Sequence, residues 1–375
     1  MKQFIYADNA ATTKIDIDAF EAMKPFLLDE FGNASQLYSL SRKPKIALQM
    51  AREKIAACIN AEPEEIYFTS CGSESDNWAL KGTMYVQGDE RTLITSQIEH
   101  HAILHSAAAV EKMGYQVKYL PVDETCTVQP AFLDKEIKNT KTKLVSVMFA
   151  NNEVGSVQPI KELVQIAHEH NALFHTDAVQ AVGHVPIDVE ELEVDMLSSS
   201  AHKFNGPKGV GFLFIRSGVE INSFIDGGGQ EYGRRAGTEN VASIVGMATA
   251  LANNCKKMNE HRKHLLYLED VLLYGLRQLN LDFRRNGSLN HVPGNVSLSF
   301  RNSDGEMLLH RLDLKGICVS TGSACNSKET EVSHVLKAMR VPDEYAKGTI
   351  RISLGKDNTE EEVKTIIKAL QGILE

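Results

Sequence analysis

Short apolar runs alternate with amphipathic stretches through the first two thirds of the chain, and that alternation restricts the fold more than any other feature. Ile66-Tyr-Phe-Thr69, Thr92-Leu-Ile-Thr95, Val117-Lys-Tyr-Leu120, Leu144-Val-Ser-Val-Met-Phe149 and Ala172-Leu-Phe-His-Thr176 have the length and residue types of buried strands. So do Val194-Asp-Met-Leu197 and Gly209-Val-Gly-Phe-Leu-Phe-Ile215. Between several of them lie helical patterns: one through Trp78 and Met84, one from about His101 to Met113, one near Ile160 to His170. Strands separated by helices need crossover connections, which give a mostly parallel sheet covered by helices on both faces. Ligands of such α/β sheets collect beyond the carboxyl ends of the strands. Two helices are expected earlier: Asp16 to Leu28, with Ile17, Phe20, Met23 and Leu27 as its apolar stripe, and one capped by Ser41, with Ile46, Ala47, Met50, Ala51, Ile55 and Cys58 as its stripe.

The pattern changes after the glycine-rich Gly227-Gly-Gly-Gln-Glu-Tyr-Gly233. A helix from about Asn240 runs toward Cys255, and the polar Asn253-Asn-Cys-Lys-Lys257 is the expected domain boundary. Beyond it come a helix, a strand at Val296–Phe300, a helix at Glu306–Leu312, strands at Ile317–Ser320 and Thr349–Leu354, and a last helix at Glu360–Leu374. That order predicts a small α+β domain made of 1–14 and 256–375, with a loop at about 320–333, beside a large domain spanning 15–255. A chain of 375 residues supports both cores.

Composition removes several functions. A net charge of −9 with no dense Lys/Arg block argues against a nucleic-acid surface. The first residues hold too short an apolar run for a signal peptide, and no segment approaches about eighteen uninterrupted apolar residues, so a cytoplasmic chain without membrane spans is expected. Cysteines 58, 71, 126, 255, 318 and 325 show no CxxC spacing, which suggests neither a disulfide framework nor a zinc knuckle.

The predicted strand ends carry the chemistry. Ser198-Ser-Ser-Ala-His-Lys203 sits on a tight connector between two strands, followed by the turn Asn205-Gly-Pro-Lys-Gly209. A lysine attacks carbonyls only when its neutral form is accessible, and the aldehyde of pyridoxal phosphate is the commonest partner for such an amine. That cofactor needs an acid for its ring nitrogen and donors for its phosphate. Asp177 ends the strand before Lys203, where a buried carboxylate is costly unless something cationic faces it. Ser70-Cys-Gly-Ser73 falls where a helix starts and backbone N–H groups face an anion. His101 and His105 have i, i+4 spacing, but no nearby carboxylate or cysteine completes a metal set.

Asp177-Ala-Val-Gln180, Ser200-Ala-His-Lys203 and Gly206-Pro-Lys-Gly-Val-Gly211 together resemble the cofactor site of fold-type-I pyridoxal phosphate enzymes of the aminotransferase class V superfamily. Ser320-Thr-Gly-Ser-Ala-Cys-Asn-Ser327 narrows the resemblance to the NifS/IscS-like cysteine desulfurases. It runs nearly end to end, from Asp8-Asn-Ala-Ala-Thr-Thr13 through Asn151-Asn-Glu-Val-Gly155 to Gly348-Thr-Ile-Arg-Ile-Ser-Leu-Gly355.

The resemblance implies that Lys203 bonds to the cofactor aldehyde, His100 stacks on its ring and carries protons, and Asp177 pairs with the ring nitrogen. It places Gln180 and Asn152 at the 3′ oxygen or the substrate side, and Gly72, Ser73, Ser200 and His202 around the phosphate, joined by Thr238 from a second subunit of a homodimer. Arg351 takes the substrate carboxylate, a bidentate task suited to guanidinium, and Cys325 accepts sulfur from L-cysteine as a persulfide for transfer to an acceptor protein. Selenocysteine lyase, a related transaminase or lyase, and a cofactor-free scaffold remain as alternatives. The chain departs from the family pattern at Ala34-Ser-Gln36, Tyr38, Cys71 and Ser73. Serine for threonine at 73 keeps the hydroxyl, and Cys71 stands beside the expected phosphate as an inert small residue or a second thiol.

Overall fold

The computed structural model describes residues 4–88, 91–321 and 332–375. In chain order, β1 (Ile5–Tyr6), α1 (Ile17–Leu28) and α2 (Arg42–Ile59) precede the main sheet. Then follow β2 (Ile66–Thr69), α3 (Gly72–Asn77), β3 (Thr92–Ser96), α4 (His101–Lys112), β4 (Gln116–Leu120), α5 (Pro130–Ile137) and β5 (Thr142–Ser146). Next come α6 (Ile160–Glu169), β6 (Leu173–Asp177), α7 (Val189–Leu192), β7 (Met196–Ser200) and β8 (Gly211–Ile215). The last third holds α8 (Val241–Gln278), β9 (Phe283–Asn286), β10 (Asn295–Phe300), α9 (Gly305–Leu314), β11 (Ile317–Cys318), α10 (His334–Ala338), α11 (Asp343–Ala346), β12 (Thr349–Ser353) and α12 (Glu360–Leu374).

Seven strands form the main sheet in the order β2-β8-β7-β6-β5-β3-β4. Pairs from β7 through β4 are parallel, and only β8 runs antiparallel to its neighbours β7 and β2. Every residue of β3, β7 and β8 is buried, as strands covered on both faces must be, whereas the edge strand β4 exposes Gln116 and Tyr119. Helix α6 shows how the covering works. Ile160, Leu163, Val164 and Ala167 recur at helical spacing and are its buried residues. Each fully buried aliphatic side chain of this kind contributes roughly 1.5–3 kcal/mol.

A separate apolar cluster lies under the three-stranded sheet β12-β10-β9. Helix α12 closes it with Val363, Ile366, Leu370 and Ile373, and starts at a capping box formed by Thr359 and Glu362. β1 joins this end of the molecule by pairing in parallel with β11. Among the described residues, no helix is long and apolar enough to cross a membrane.

Several local expectations fail. The helix expected to run toward Cys255 instead continues through Asn253–Lys257 as part of α8, unbroken for 38 residues. Asn254 is buried there and donates from Nδ2 to the Phe204 carbonyl at 2.7 Å, while Lys256 and Lys257 face outward. Ser41 does sit at the N-cap of α2, but its hydroxyl donates to the Gln36 and Tyr38 carbonyls instead of capping. Of the stripe expected for α1, Ile17, Phe20 and Leu27 are exposed and Met23 half-buried, Ala19 being the one buried residue of that helix, and Ile46 and Met50 of α2 are exposed as well. Ala51 and Ile55 of its expected stripe are buried, joined by Leu48 and Ile59.

Candidate active site

The carboxyl ends of β6 and β7 meet at one cavity of about 350 Å³. Its wall includes Lys203, Asp177, Gln180, Ser200 and His202 from these two strand ends, Gly72 and Ser73 from the start of α3, and His100, Asn152 and Arg351. Strand pairing sets Asp177 opposite Ser198, which brings the acid to the connector that bears the lysine. The turn Ala201–Lys203 follows β7 at once, so Lys203 projects from the sheet edge toward the cavity.

The polar opening of the chain fixes this connector. Thr13 donates from its backbone N and its hydroxyl to the His202 carbonyl, both at 2.8 Å, and its hydroxyl accepts from Asn205 N at 2.8 Å. Asn205 itself adopts a φ of 63°, a conformation asparagine tolerates better than most residues. Lys203 Nζ donates to the carbonyls of Ala10 at 2.7 Å and Ala11 at 2.8 Å. The two backbone carbonyls fix the direction in which the Lys203 side chain points into the cavity.

Asp177 is buried, and its Oδ1 accepts from Val179 N at 3.0 Å. Burial pushes its carboxyl up to about 6, against the opposing effects of that N–H and of Lys203. Behind it stands Asp76, 1% exposed, whose Oδ1 has no hydrogen-bond partner among the described residues. Burial and the Asp177 charge raise Asp76 well above the usual carboxylate range. His175, two positions before Asp177, is buried neutral, with Nδ1 and Nε2 each 2.9 Å from the hydroxyls of Ser146 and Ser198. Burial lowers its pKa to about 3.

His100 is the N-cap of α4, where its Nδ1 accepts from Ala102 N at 3.1 Å. Burial first, then the charge of Lys203, push its pKa down to about 4. The ring is therefore a neutral flat surface on the cavity wall. His202 is lowered to about 4 by burial, Lys203 and Lys208. At Gly72 a Cβ would lie 2.6 Å from Val179 Cγ2 and 3.5 Å from Ser200 Cβ. Only glycine keeps that corner open for an anion beside the first N–H groups of α3.

Arg351 reaches the cavity from β12 and is 5% exposed. Its Nη1 donates to the Asn152 carbonyl and its Nη2 to Asp8 Oδ1, both at 2.8 Å, while Nε is buried with no partner among the described residues. A buried guanidinium with a spare N–H is ready for one more acceptor. β12 also holds Ser320, which exchanges backbone hydrogen bonds with Arg351 at 2.6 and 3.1 Å. The segment carrying Cys325 thus leaves the described structure next to the arginine. Cys325 itself lies outside the described residues.

Thr238 is not brought to the cavity of its own chain. It is exposed on the segment after Gly237, and Ser35 of the Ala34-Ser-Gln36 loop donates to the neighbouring Glu239 at 3.3 Å. Residues that the sequence did not single out support the site: Asp76, His175, Glu74 and Arg235. Glu74 accepts from Ser70 N at 2.7 Å and pairs with Arg235 Nε at 2.7 Å, which ties the phosphate-side turn to the glycine-rich segment. An acid on a helix face turned toward a sheet is the one trace that Asp76 leaves in the sequence.

A lysine, a buried acid, a neutral aromatic face and an open glycine corner around one cavity define a pyridoxal phosphate site, and the donor set fits each part of that cofactor. The chain belongs to the aminotransferase class-V family, whose profile matches residues 5–366. That family depends on pyridoxal phosphate. Among its relatives, the "Cysteine desulfurase IscS" of Methanosarcina thermophila is 47% identical over 99% of this chain and 92% of its own length. The "Cysteine desulfurase IscS" of Clostridium botulinum strain Hall is 48% identical over 100% of this chain and 95% of its own. A solved structure described as a NifS-like protein superposes with a TM-score of 0.93 at 41% identity, covering 99% of both chains.

Proposed function

We propose that this chain is a cysteine desulfurase: it takes sulfur from L-cysteine, releases L-alanine and keeps the sulfur as a persulfide on Cys325. The convergence of Lys203, Asp177 and Arg351 on one cavity carries this reading. Pyridoxal phosphate, when bound, supplies an electron sink for the charge left at the substrate Cα. Lys203 would hold it covalently, and its amine would carry the Cα proton. Asp177 would provide the negative charge for its ring nitrogen, His100 would offer a neutral face, and Gly72, Ser73, Ser200 and His202 would hold its phosphate. Asn152 and Gln180 face the 3′ oxygen or the substrate side. Arg351 binds the substrate carboxylate through the N–H that has no partner among the described residues.

The Cys325 thiolate attacks the substrate sulfur. One S–S bond forms, one C–S bond breaks, and the atoms of cysteine divide between alanine and the persulfide. A protein acceptor then takes that sulfur for iron–sulfur cluster assembly or for thiolation of a cofactor or tRNA. The active form is a cytoplasmic homodimer in which Thr238 completes the phosphate site of the neighbouring subunit. Exposed Ile17, Leu27, Leu28, Phe31 and Leu37 support that assembly, since a lone chain would leave them in water. Residues 15–255 form its cofactor-binding domain, and 1–14 with 256–375 form its smaller one.

Mass spectrometry after incubation with L-cysteine is the direct test: added sulfur is expected on the peptide that contains Cys325. Desulfurase turnover that survives Cys325→Ser would favour a lyase that leaves the thiol unused.

A further inference from the structure

Arg351 is held from two sides. Asp8 Oδ1 accepts from its Nη2, and the backbone carbonyl of Asn152 accepts from its Nη1, both at 2.8 Å. Asn295 Nδ2 donates to the same carbonyl at 3.3 Å. Where the guanidinium sits therefore depends on the turn 151–155 that presents this carbonyl.

The turn is fixed by its own first residue and by a distant helix. Asn151 is buried; its Nδ2 donates to the Ile98 carbonyl at 3.0 Å, and its Oδ1 accepts from Glu153 N at 2.9 Å and Val154 N at 3.0 Å. Gly155, at a φ of 78°, closes the turn with a 2.9 Å bond from its N to the Asn151 carbonyl. The Glu153 side chain is buried as well, and its Oε2 accepts from Ser333 Oγ at 2.5 Å. Ser333 is the N-cap of α10, where its Oγ also accepts from Val335 N at 3.1 Å. The next residue, His334, has Nε2 3.0 Å from the carbonyl of Glu99, which precedes His100. The start of α10 thus bridges the turn that bears Asn152 and the turn that leads into His100. Burial pushes the Glu153 carboxyl up to about 7, opposed by the Ser333 hydroxyl and the Arg351 charge. A buried carboxyl is costly unless it is matched, and the groups matched to this one are the cap of α10 and the arginine of the cavity.

We propose that Glu153 and Ser333 are positioning residues for substrate binding: their hydrogen bond fixes the 151–155 turn, so that the Asn152 carbonyl holds Arg351 with its Nε–H left for the substrate carboxylate. The inference rests on the reading of Arg351 as the carboxylate binder. Neither Glu153 nor Ser333 is among the described residues that line the cavity, so both act through Arg351. Breaking their bond changes how tightly a carboxylate is held and leaves the groups around the cofactor in place.

The cofactor-loaded enzyme is titrated with L-alanine, the product that keeps the carboxylate, through the change in cofactor absorption, and KM for L-cysteine is measured alongside. Ser333→Ala and Glu153→Ala should each weaken L-alanine binding and raise KM about five- to tenfold, with kcat within about twofold and cofactor affinity unchanged. Because both substitutions remove the same bond, the double variant should be no worse than the weaker of the two single ones. Ser333→Thr keeps the hydroxyl and should bind L-alanine as wild type does. Multiplied losses in the double variant would overturn the proposal. So would a lowered Tm beside an unchanged L-alanine affinity, or a loss of cofactor affinity in step with the rise in KM. Failure of the underlying reading looks different: Arg351→Lys would then leave L-alanine binding unchanged too.

Discussion

The strand-end cavity and the apolar band on α1, α2 and the loop between them are built on opposite terms. Around Lys203 almost every polar group has a partner from a distant part of the same chain: Ala10 and Ala11 for the ammonium, Asp8 and Asn152 for Arg351. Across α1 and α2 the apolar groups lack cover. Leu28 is 73% exposed, Phe31 68% and Leu37 fully so. At about 25 cal/mol per Å², such a band represents several kcal/mol of unused hydrophobic driving force, although association also costs rotational and translational freedom. The contrast teaches that one chain builds a nearly complete cofactor site but an incomplete surface. The proposed homodimer would supply the missing element in both, with Thr238 as the link.

The largest effect should come from Lys203→Ala. Losing the proposed covalent tether and proton carrier together should reduce desulfurase turnover by about 10³-fold or more, with borohydride no longer fixing the cofactor to the chain. If a Lys203→Ala chain still gave a borohydride-stable adduct, the cavity would not be the site that its geometry indicates. Arg351→Lys comes next. Exchanging a planar fork for a point charge should lower kcat/KM for cysteine about 30- to 100-fold, mostly through KM, corresponding to about 2–3 kcal/mol. An unchanged KM would mean that the spare Nε–H faces something other than substrate.

Asp177 tests the same region through stability. Its folded carboxyl lies at about 6, against 3.8 unperturbed, so the folded state holds a proton more tightly than the unfolded one. That stabilisation is present below about pH 4 and is lost as pH rises through about 6. At neutral pH the cofactor-free Asp177→Asn protein should therefore be more stable than wild type by up to about 3 kcal/mol, while binding the cofactor more weakly. Urea denaturation of both cofactor-free proteins at acid and neutral pH reads the difference. A gap that did not widen with pH would show that the buried carboxylate is already matched without the cofactor.

Much of this was legible beforehand, and for physical reasons. Strand ends carrying Asp177 and Lys203 stand out because polar residues beside fully buried runs are costly unless used. The sheet was legible because strands covered on both faces must be apolar throughout. The stripe on α1 and the Ile46 and Met50 part of the one on α2 were misread for a related reason: periodicity shows which face of a helix is apolar, but not what covers it. Phe283–Asn286 carries two arginines in four residues, so nothing in its composition marks the strand that pairs with β10. The continuous α8 was hidden because Asn253 to Lys257 is as compatible with an exposed helix face as with the end of a helix. Asp76 and His175 gain their meaning only from the packing of α3 on β7 and β8, which brings Asp76 within 3.9 Å of His175 and which no local pattern encodes.

The smallest expected effect is also the one that most directly joins the two regions. Thr238 would contribute a single hydroxyl to a phosphate, a charge-assisted hydrogen bond of about 1.5 kcal/mol, so Thr238→Ala should weaken cofactor binding about tenfold and leave the fold intact. Weak binding alone does not say which chain supplies the hydroxyl. Mixed dimers do. A Lys203→Ala chain paired with a Thr238→Ala chain contains one site in which the lysine of the second meets the threonine of the first, and that site should bind the cofactor with wild-type affinity. If the hydroxyl served its own chain, every lysine-bearing site in the mixture would stay tenfold weak. In that case the exposed apolar band would owe its existence to some surface other than the one carrying Thr238.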